Sequence, residues 1–309
     1  MSEALITPER GKGIGLVLVS GACWGFHGIL IKYALSLELS FIQVFFAETL
    51  FAACFFGLFH KRFFAGVRPR GWGEWGRLLL IGLSAIGVGS LLFLSFSLGP
   101  VAIAATLMFF YVPVVYLFSV LARYQAFHGV KLMAIVMILG GAVLTTQLLS
   151  SFGEPDVLGA ALAAMGASCC YAVVFILTPA VGRYTNLYFR SFAISIVGLL
   201  GCCVILLLVP DLWYAPTGDG WRIATLALAL GVIGQVLPVF ALMKGLPLTG
   251  GSLGGVVASV ELPIAVFSAA ILLNESLTIF KVIGVMLVLS GIIIYNFCDR
   301  RAPSLREAS

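Results

Sequence analysis

Apolar residues in this chain come in unbroken runs of about 20, without the two-residue alternation of a half-buried strand. Ten such runs lie near 13–36, 41–59, 76–98, 101–121, 129–149, 157–181, 186–209, 222–244, 250–273 and 279–298. A helix needs about 20 apolar residues to cross the hydrocarbon of a bilayer, whereas a barrel strand needs about ten that alternate. The pattern therefore predicts ten membrane-spanning helices. Turn residues mark the joins: Gly99-Pro100, the stretch from Gly153 through Glu154 and Pro155 to Asp156, Pro210-Asp211, and Pro216 to Gly220. Every join is short, so no soluble domain fits, and any chemistry falls between the helices. The first run follows a short polar start (Glu9, Arg10, Lys12). It is too long for a signal-peptide core and has no small-x-small cleavage site after it, so it is expected to stay as a span.

Composition sharpens this picture. Hydrophobic residues make up 61% of the chain, charged residues 10%, and the mean hydropathy is +1.13. A soluble domain carries about 25% charged residues, so an all-α integral membrane protein is the remaining class. The seven cysteines (Cys23, Cys54, Cys169, Cys170, Cys202, Cys203, Cys298) sit inside apolar runs. Their spacing fits neither a zinc site nor a disulfide framework. No cofactor, metal or nucleic-acid partner is expected; the partners are the lipid bilayer and a small-molecule substrate.

The net charge of +5 is unevenly placed. With the N-terminus inside, the inner segments hold Arg10, Lys12, Lys61, Arg62, Arg68, Arg70, Arg77, Arg123, Lys131, Arg183, Lys244, Arg300, Arg301 and Arg306. The outer joins hold Lys32, Arg222 and Lys281, a split of 14 to 3. The positive-inside rule then places both termini in the cytoplasm. Arg190, early in the seventh run, is expected to snorkel inward. The outer joins carry Glu38, Glu154, Asp156, Asp211, Asp219 and Glu275.

The chain also repeats itself. Pro113 and Pro263, Lys131 and Lys281, and Gly141 and Gly291 are each 150 residues apart; Trp75 and Trp221, and Gly99 and Gly245, are 146 apart. "GACWGF" at 21–26 overlays "GASCCY" at 166–171. The unit is five spans, residues 1–152 and 153–309. Because five is odd, the second copy must run the opposite way through the membrane. Inverted repeats place a substrate site near mid-membrane, where the halves meet.

Glu261 lies about 11 residues into its run, roughly 16 Å deep, the middle of a hydrocarbon layer about 30 Å thick. Pro263 follows and cannot donate to the carbonyl of Ser259. The repeat partner of Glu261 is Tyr111, beside Pro113, which removes the donor for the carbonyl of Phe109. Polar groups at that depth must be buried in protein or face a wet cavity. A helix-tying role for Glu261 remains open beside a cavity role. Pro113 and Pro263 are read as hinges, with plain packing kinks as the alternative.

Other spans offer candidates at similar depth. Trp24 and His27 share one helix face, with Ser20 a turn earlier. Ser168, Tyr171 and Thr178 line one stripe, and Gln235 lies three residues before Pro238. Trp24, His27, Tyr111, Tyr171, Gln235, Ser259 and Glu261 are the candidate substrate contacts. His27, Glu48 and Glu261 are candidates for proton coupling or a structural ion pair, Glu48 pairing with Lys32 or His27. Phe45, Phe46, Phe51, Phe55, Phe109 and Phe110 are candidates for an apolar pocket. Gly21–Gly25, Gly250–Gly254 and Gly251–Gly255 suit close helix crossings.

"ACWGFHGILIKYAL" in the first span resembles the Trp-Gly…Lys pattern of the EamA-type drug/metabolite transporter superfamily. "VELPIAVFSAAILLNESL…KVIGVMLVLSGIIIY" is similar to that family's closing motif. Gln125 departs from it where the first copy often has an acidic residue, and Leu262 intervenes between Glu261 and Pro263. The resemblance covers essentially the whole chain. It implies ten helices in two inverted five-helix repeats, with spans one to four and six to nine around a central cavity and spans five and ten outside it. It also implies transport of amino acids or related metabolites, commonly outward from the cytoplasm; the expected protein is a secondary transporter of a bacterial inner membrane that works by alternating access. Size and aromatic richness look most like the YddG-like branch of aromatic amino acid exporters. The alternative on the same scaffold is an exporter of drugs or nucleotide-sugar-like metabolites, which would need basic residues for phosphate; Lys32 and Arg190 are the candidates. An enzyme is not expected: the three histidines (His27, His60, His128) are scattered and no nucleophile elbow or His-Glu-x-x-His motif occurs. Gly140, Gly141 and Gly291 in spans five and ten could support an oligomer, which nothing demands.

Overall fold

The structure, a computed structural model, describes residues 8–63, 69, 71–99, 101–146, 157–213, 219–274 and 276–301. Arg68, Arg70, Pro100, the 153–156 join with Glu154 and Asp156, Pro216, Glu275, Arg306 and the boundary at 152/153 lie outside the described residues. The described chain is helical throughout. In order, the helices are α1 (Pro8–Ser36), α2 (Phe41–Gly57), α3 (Trp72–Leu98), α4 (Val101–Met108), α5 (Tyr111–Leu121), α6 (Gly129–Thr146), α7 (Val157–Val181) and α8 (Leu187–Leu208). They continue with α9 (Gly220–Ala229), a π-helical stretch Leu230–Val236, α10 (Leu237–Thr249), α11 (Gly251–Ala258), α12 (Glu261–Leu272) and α13 (Ile279–Arg301). The ten expected spans are present, three of them interrupted. Span four is α4 plus α5, span eight is α9, the π stretch and α10, and span nine is α11 plus α12.

Helix starts follow local chemistry. Ser40 and Gln43 cap α2 reciprocally: the Gln43 amide donates to Ser40 Oγ, and the Ser40 amide donates to Gln43 Oε1 at 2.8 Å. Asn186 Oδ1 accepts from the Tyr188 amide at the start of α8. The two caps are 146 residues apart, the separation of Trp75 and Trp221.

The packing shows the inverted repeat directly. α1 lies against α10 and α3 against α7; adding five spans turns the one pair into the other. α2 packs on α8, and α6 on α13, each helix against its own repeat partner. At the α6–α13 crossing, a Cβ on Gly141 would lie 2.5 Å from the carbonyl oxygen of Gly284. A Cβ on Gly291 would lie 2.7 Å from that of Ala134. A shift of 150 residues exchanges these two contacts, which only an antiparallel pair related by a pseudo-twofold allows. Backbone approach this close requires glycine. Gly141 and Gly291 are therefore spent inside the chain, whereas a Cβ on Gly140 would meet nothing within 4 Å. Arg10 at the start of α1 pairs with Asp299 at the end of α13, so the first and last helices end on the same face of the bundle.

One expectation fails here. Arg190 does not snorkel; it is 3% exposed and its guanidinium is bonded within the protein.

Candidate functional site

Spans four and nine break in the same way. In span nine the amides of Ser259, Val260, Leu262 and Ile264 donate to the carbonyls of Val256, Val257, Ser259 and Val260. In span four the amides of Phe109, Phe110, Val112 and Val114 donate to those of Thr106, Leu107, Phe109 and Phe110, each 150 residues earlier. The carbonyls of Phe109 and Ser259 are thus not free, as the two prolines suggested. Each is taken by the amide one residue earlier, of Val112 at 3.1 Å and Leu262 at 3.2 Å. Pro113 and Pro263 are the third residues of α5 and α12, where an amide has no partner within its helix, so the missing N–H costs little.

Interior prolines of span eight are handled by side chains. Pro238 occupies the position whose amide would pair with the Gly234 carbonyl in an α-helix. The Trp24 indole N–H donates to that carbonyl at 3.0 Å, and Ser20 Oγ donates to the carbonyl of Pro238 itself. Pro247, inside α10, likewise has no amide for Met243, and Arg190 Nη2 donates to the Met243 carbonyl at 2.6 Å. Arg190 Nη1 holds the Thr185 backbone and hydroxyl. The Pro238 step follows directly on the π-helical stretch, a feature frequent at functional sites.

These elements gather the predicted residues at one place. Tyr111 begins α5, and its ring lies 4.7 Å from that of Tyr171 and 4.9 Å from that of Phe175. Tyr171 in turn meets Trp24 edge-on at 5.9 Å. The Tyr111 hydroxyl donates to the Gly255 carbonyl at 2.8 Å, so the first repeat's break is tied to the second repeat's α11. His27 Nε2 meets Glu48 Oε1 at 2.5 Å, joining α1 to α2. Both pack on the π stretch: a Cβ on Gly234 would lie 2.6 Å from His27 Nε2 and 2.8 Å from Glu48 Oε1. Glycines let α1 reach span nine, since a Cβ on Gly21 would fall 2.8 Å from the Ala258 carbonyl oxygen, and one on Gly25 2.8 Å from that of Glu261.

Glu261, the first residue of α12, is part-buried and interacts electrostatically with His27, Tyr111 and Tyr171. Its carboxylate makes no hydrogen bond or ion pair with the described residues. Ser259 is fully buried, with its hydroxyl bonded back to Gly255. Gln235 lies in the π stretch, part-buried. Ser168 donates to the Met108 carbonyl and Thr178 to that of Val174, so both serve the backbone. Phe46 belongs elsewhere: with Trp213 it lines a recess of about 340 Å³ between α2 and α9.

The sequence pattern does not reveal one polar cluster. Lys131, 1% exposed, binds Asp299 Oδ1 at 2.5 Å and Gln125 Oε1 at 2.8 Å, and sits over the Tyr295 ring. Gln125 Nε2 donates to Ser252 Oγ, which meets the Tyr295 hydroxyl at 2.5 Å. With Arg10 also on Asp299, the cluster stitches α1, α6, α11 and α13 together on the face where the chain ends meet. The signal that could have found it is Asp299, at the end of an otherwise apolar run.

Two antiparallel five-span units, interrupted at mid-membrane around a cluster of aromatic and ionisable side chains, define a membrane transporter. The EamA-like transporter family matches residues 11–147 and again residues 158–297, and the chain belongs to that family. It is a multi-pass membrane transporter and not an enzyme. The chain is 28% identical over 233 residues to the threonine/homoserine exporter RhtA of Salmonella typhimurium strain SL1344, covering 74% of each protein. The same figures hold for RhtA of strain LT2. A solved crystal structure matches with a TM-score of 0.76 at 16% identity, over 94% of this chain and 99% of that one, which shows the shared fold.

Proposed function

We propose that this transporter exports amino acids, aromatic and other apolar ones among them, or related metabolites from the cytoplasm by alternating access. The observation that carries this reading is the convergence of Trp24, His27, Glu48, Tyr111, Tyr171 and Glu261, from spans of both repeats, on one place halfway along the helices. Substrate would sit where the two breaks face each other, and the repeats would rock about it. The breaks before Tyr111 and Glu261 are the proposed hinges, with Pro113 and Pro263 fixing the first turn of each second half-helix. The units run 1–152 and 153–309. The distribution of Lys and Arg supports a bacterial inner-membrane orientation with both termini in the cytoplasm. The exporter relatives of Salmonella support an amino acid as cargo. A nucleotide-sugar cargo draws less support, because Arg190, one of its two candidate phosphate ligands, is sealed against Thr185 and Met243.

Efflux of labelled Phe, Trp, Met and Thr from proteoliposomes, with and without a pH gradient, tests the reading. Saturable flux of at least one of them is expected. Flux of none would remove amino acids as the substrate class, and identical flux under both conditions would remove His27, Glu48 and Glu261 as proton carriers.

A further inference from the structure

We propose that the mid-membrane site recognises its substrate by a cationic amine, held by the Glu261 carboxylate beside the rings of Trp24, Tyr111 and Tyr171. This rests on the transporter reading and names the chemical group the site selects. The argument is an inventory of polar ends. The Trp24 indole N–H is used by Gly234, the Tyr111 hydroxyl by Gly255, and the hydroxyls of Ser20 and Ser259 by Pro238 and Gly255. Glu48 is held by His27 Nε2. The neutral groups left over are the Tyr171 hydroxyl and the Gln235 amide, which suit either end of a zwitterion. The acidic group left over is Glu261, part-buried, near enough to His27 to interact with it electrostatically, but without a hydrogen bond or ion pair among the described residues.

The buried cations are committed elsewhere. Arg190, 3% exposed, gives Nη1 and Nη2 to Thr185 and Met243, with its Nε buried and unpartnered, and Lys131 is bonded to Asp299 and Gln125. A substrate carboxylate would find no spare cation among these residues. An ammonium would find a carboxylate, and aromatic faces of which Trp24 and Tyr111 already have their polar ends engaged elsewhere. Ring faces attract cations, most strongly when water is excluded. Gly25 sets the geometry: without a side chain, it lets the α1 backbone press on the Glu261 carbonyl, one residue from Trp24. The expected ligands are therefore amino acids through their α-ammonium, and arylalkylamines that lack a carboxylate.

The test is calorimetric binding to the purified full chain in detergent, with phenethylamine (amine, no carboxylate) and 3-phenylpropionate (carboxylate, no amine). Phenethylamine should bind at least about tenfold more tightly, a difference of about 1.4 kcal/mol. Glu261→Gln should remove that preference, and Glu261→Asp should keep part of it, with thermal unfolding unchanged in both. Equal binding of the two ligands would overturn the proposal, and so would a Glu261→Gln chain that keeps its amine affinity. Because binding is read without flux, this failure differs from that of the export reading, which shows as absent transport of amino acids from vesicles.

Discussion

The break in span four delivers Tyr111 to the centre of the molecule; the equivalent break in span nine delivers Glu261, 150 residues later. The backbone hydrogen bonds around the two match one for one, so the repeat has kept its scaffold in both halves. The side chains at the matched position have diverged. Tyr111 is 2% exposed and its hydroxyl is satisfied by the opposite repeat, while the Glu261 carboxyl has no hydrogen bond or ion pair among the described residues. The first break is tied to the opposite repeat by a hydrogen bond, and the second carries the carboxyl on which the proposed recognition rests. Symmetry therefore explains how the site is built, and the departures from symmetry explain what it can do.

The largest departure lies at the face where the chain ends meet. Asp299 binds both Arg10 and Lys131, and its repeat position, 149, is a leucine. Asp299→Ala leaves Lys131 buried with only Gln125 as a polar partner. Removing one member of a buried ion pair costs about 3–5 kcal/mol, because the remaining charge stays desolvated. A large fall in the unfolding temperature in detergent is expected. A fall of a degree or less would mean that this face is open in solution and that the asymmetry between the two faces is smaller than the structure indicates.

The symmetric part of the comparison can be broken at adjacent glycines. Gly141→Ala puts a methyl group 2.5 Å from the Gly284 carbonyl oxygen, a backbone atom that cannot swing aside. Overpacking of this kind costs about 1–3 kcal/mol. Gly291→Ala, its pseudo-twofold mate, should cost a similar amount, while Gly140→Ala meets open space and should be neutral or stabilising. Thermal unfolding of the three variants checks this. Unequal losses at 141 and 291 would show that the two halves of the α6–α13 crossing are not equivalent.

How much of the molecule is legible in its sequence depends on the range of the interaction. Span number, the inverted order and the positions of both breaks follow from run lengths and fixed offsets, which are local or periodic properties. Proline positions also name the carbonyls they deprive: Pro247 points to Met243 and Pro238 to Gly234. They do not name the donor that compensates. Arg190 and Trp24 fill those places across 53 and 210 residues of sequence, and only the folded bundle makes them neighbours. The offset to Lys281 marks Lys131 as a repeat position and an inward-side charge; its more informative mate, Asp299, lies in another helix. At the site, Trp24, Tyr111, Tyr171, His27 and Glu261 do come together. The His27–Glu48 contact is one of two pairings the sequence leaves open.

A smaller effect separates the two breaks themselves. Tyr111→Phe deletes the hydroxyl that ties α5 to Gly255 and keeps the ring. A neutral hydrogen bond is worth about 0.5–1.5 kcal/mol net, and the Gly255 carbonyl retains the Ser259 hydroxyl, so the loss should fall at the low end. Amino acid flux should drop only a few-fold. If Tyr111→Phe were as damaging to flux as Glu261→Gln, the matched positions would be equals and the proposed division of labour would be wrong.

The smallest effect on stability is expected from the prolines that mark the breaks. Pro113 and Pro263 stand in the first turn of α5 and α12, where no intrahelical bond is lost to them. Alanine there adds an amide, and it also frees the unfolded chain, worth about 0.4–1 kcal/mol against folding. The new amide at 263 could pair with the Ser259 carbonyl in competition with the Leu262 amide already there. A shift from the 262 to the 263 amide would convert the turn into continuous helix and stiffen span nine. Pro263→Ala should therefore leave unfolding within about 1 kcal/mol of the parent while slowing flux a few-fold, and Pro113→Ala should do the same. Measuring both quantities on each variant separates the possibilities. Unchanged flux would show that the breaks are held by α1 and α7 packing against them and that the prolines are not hinges; slower flux in only one variant would identify the repeat whose break moves.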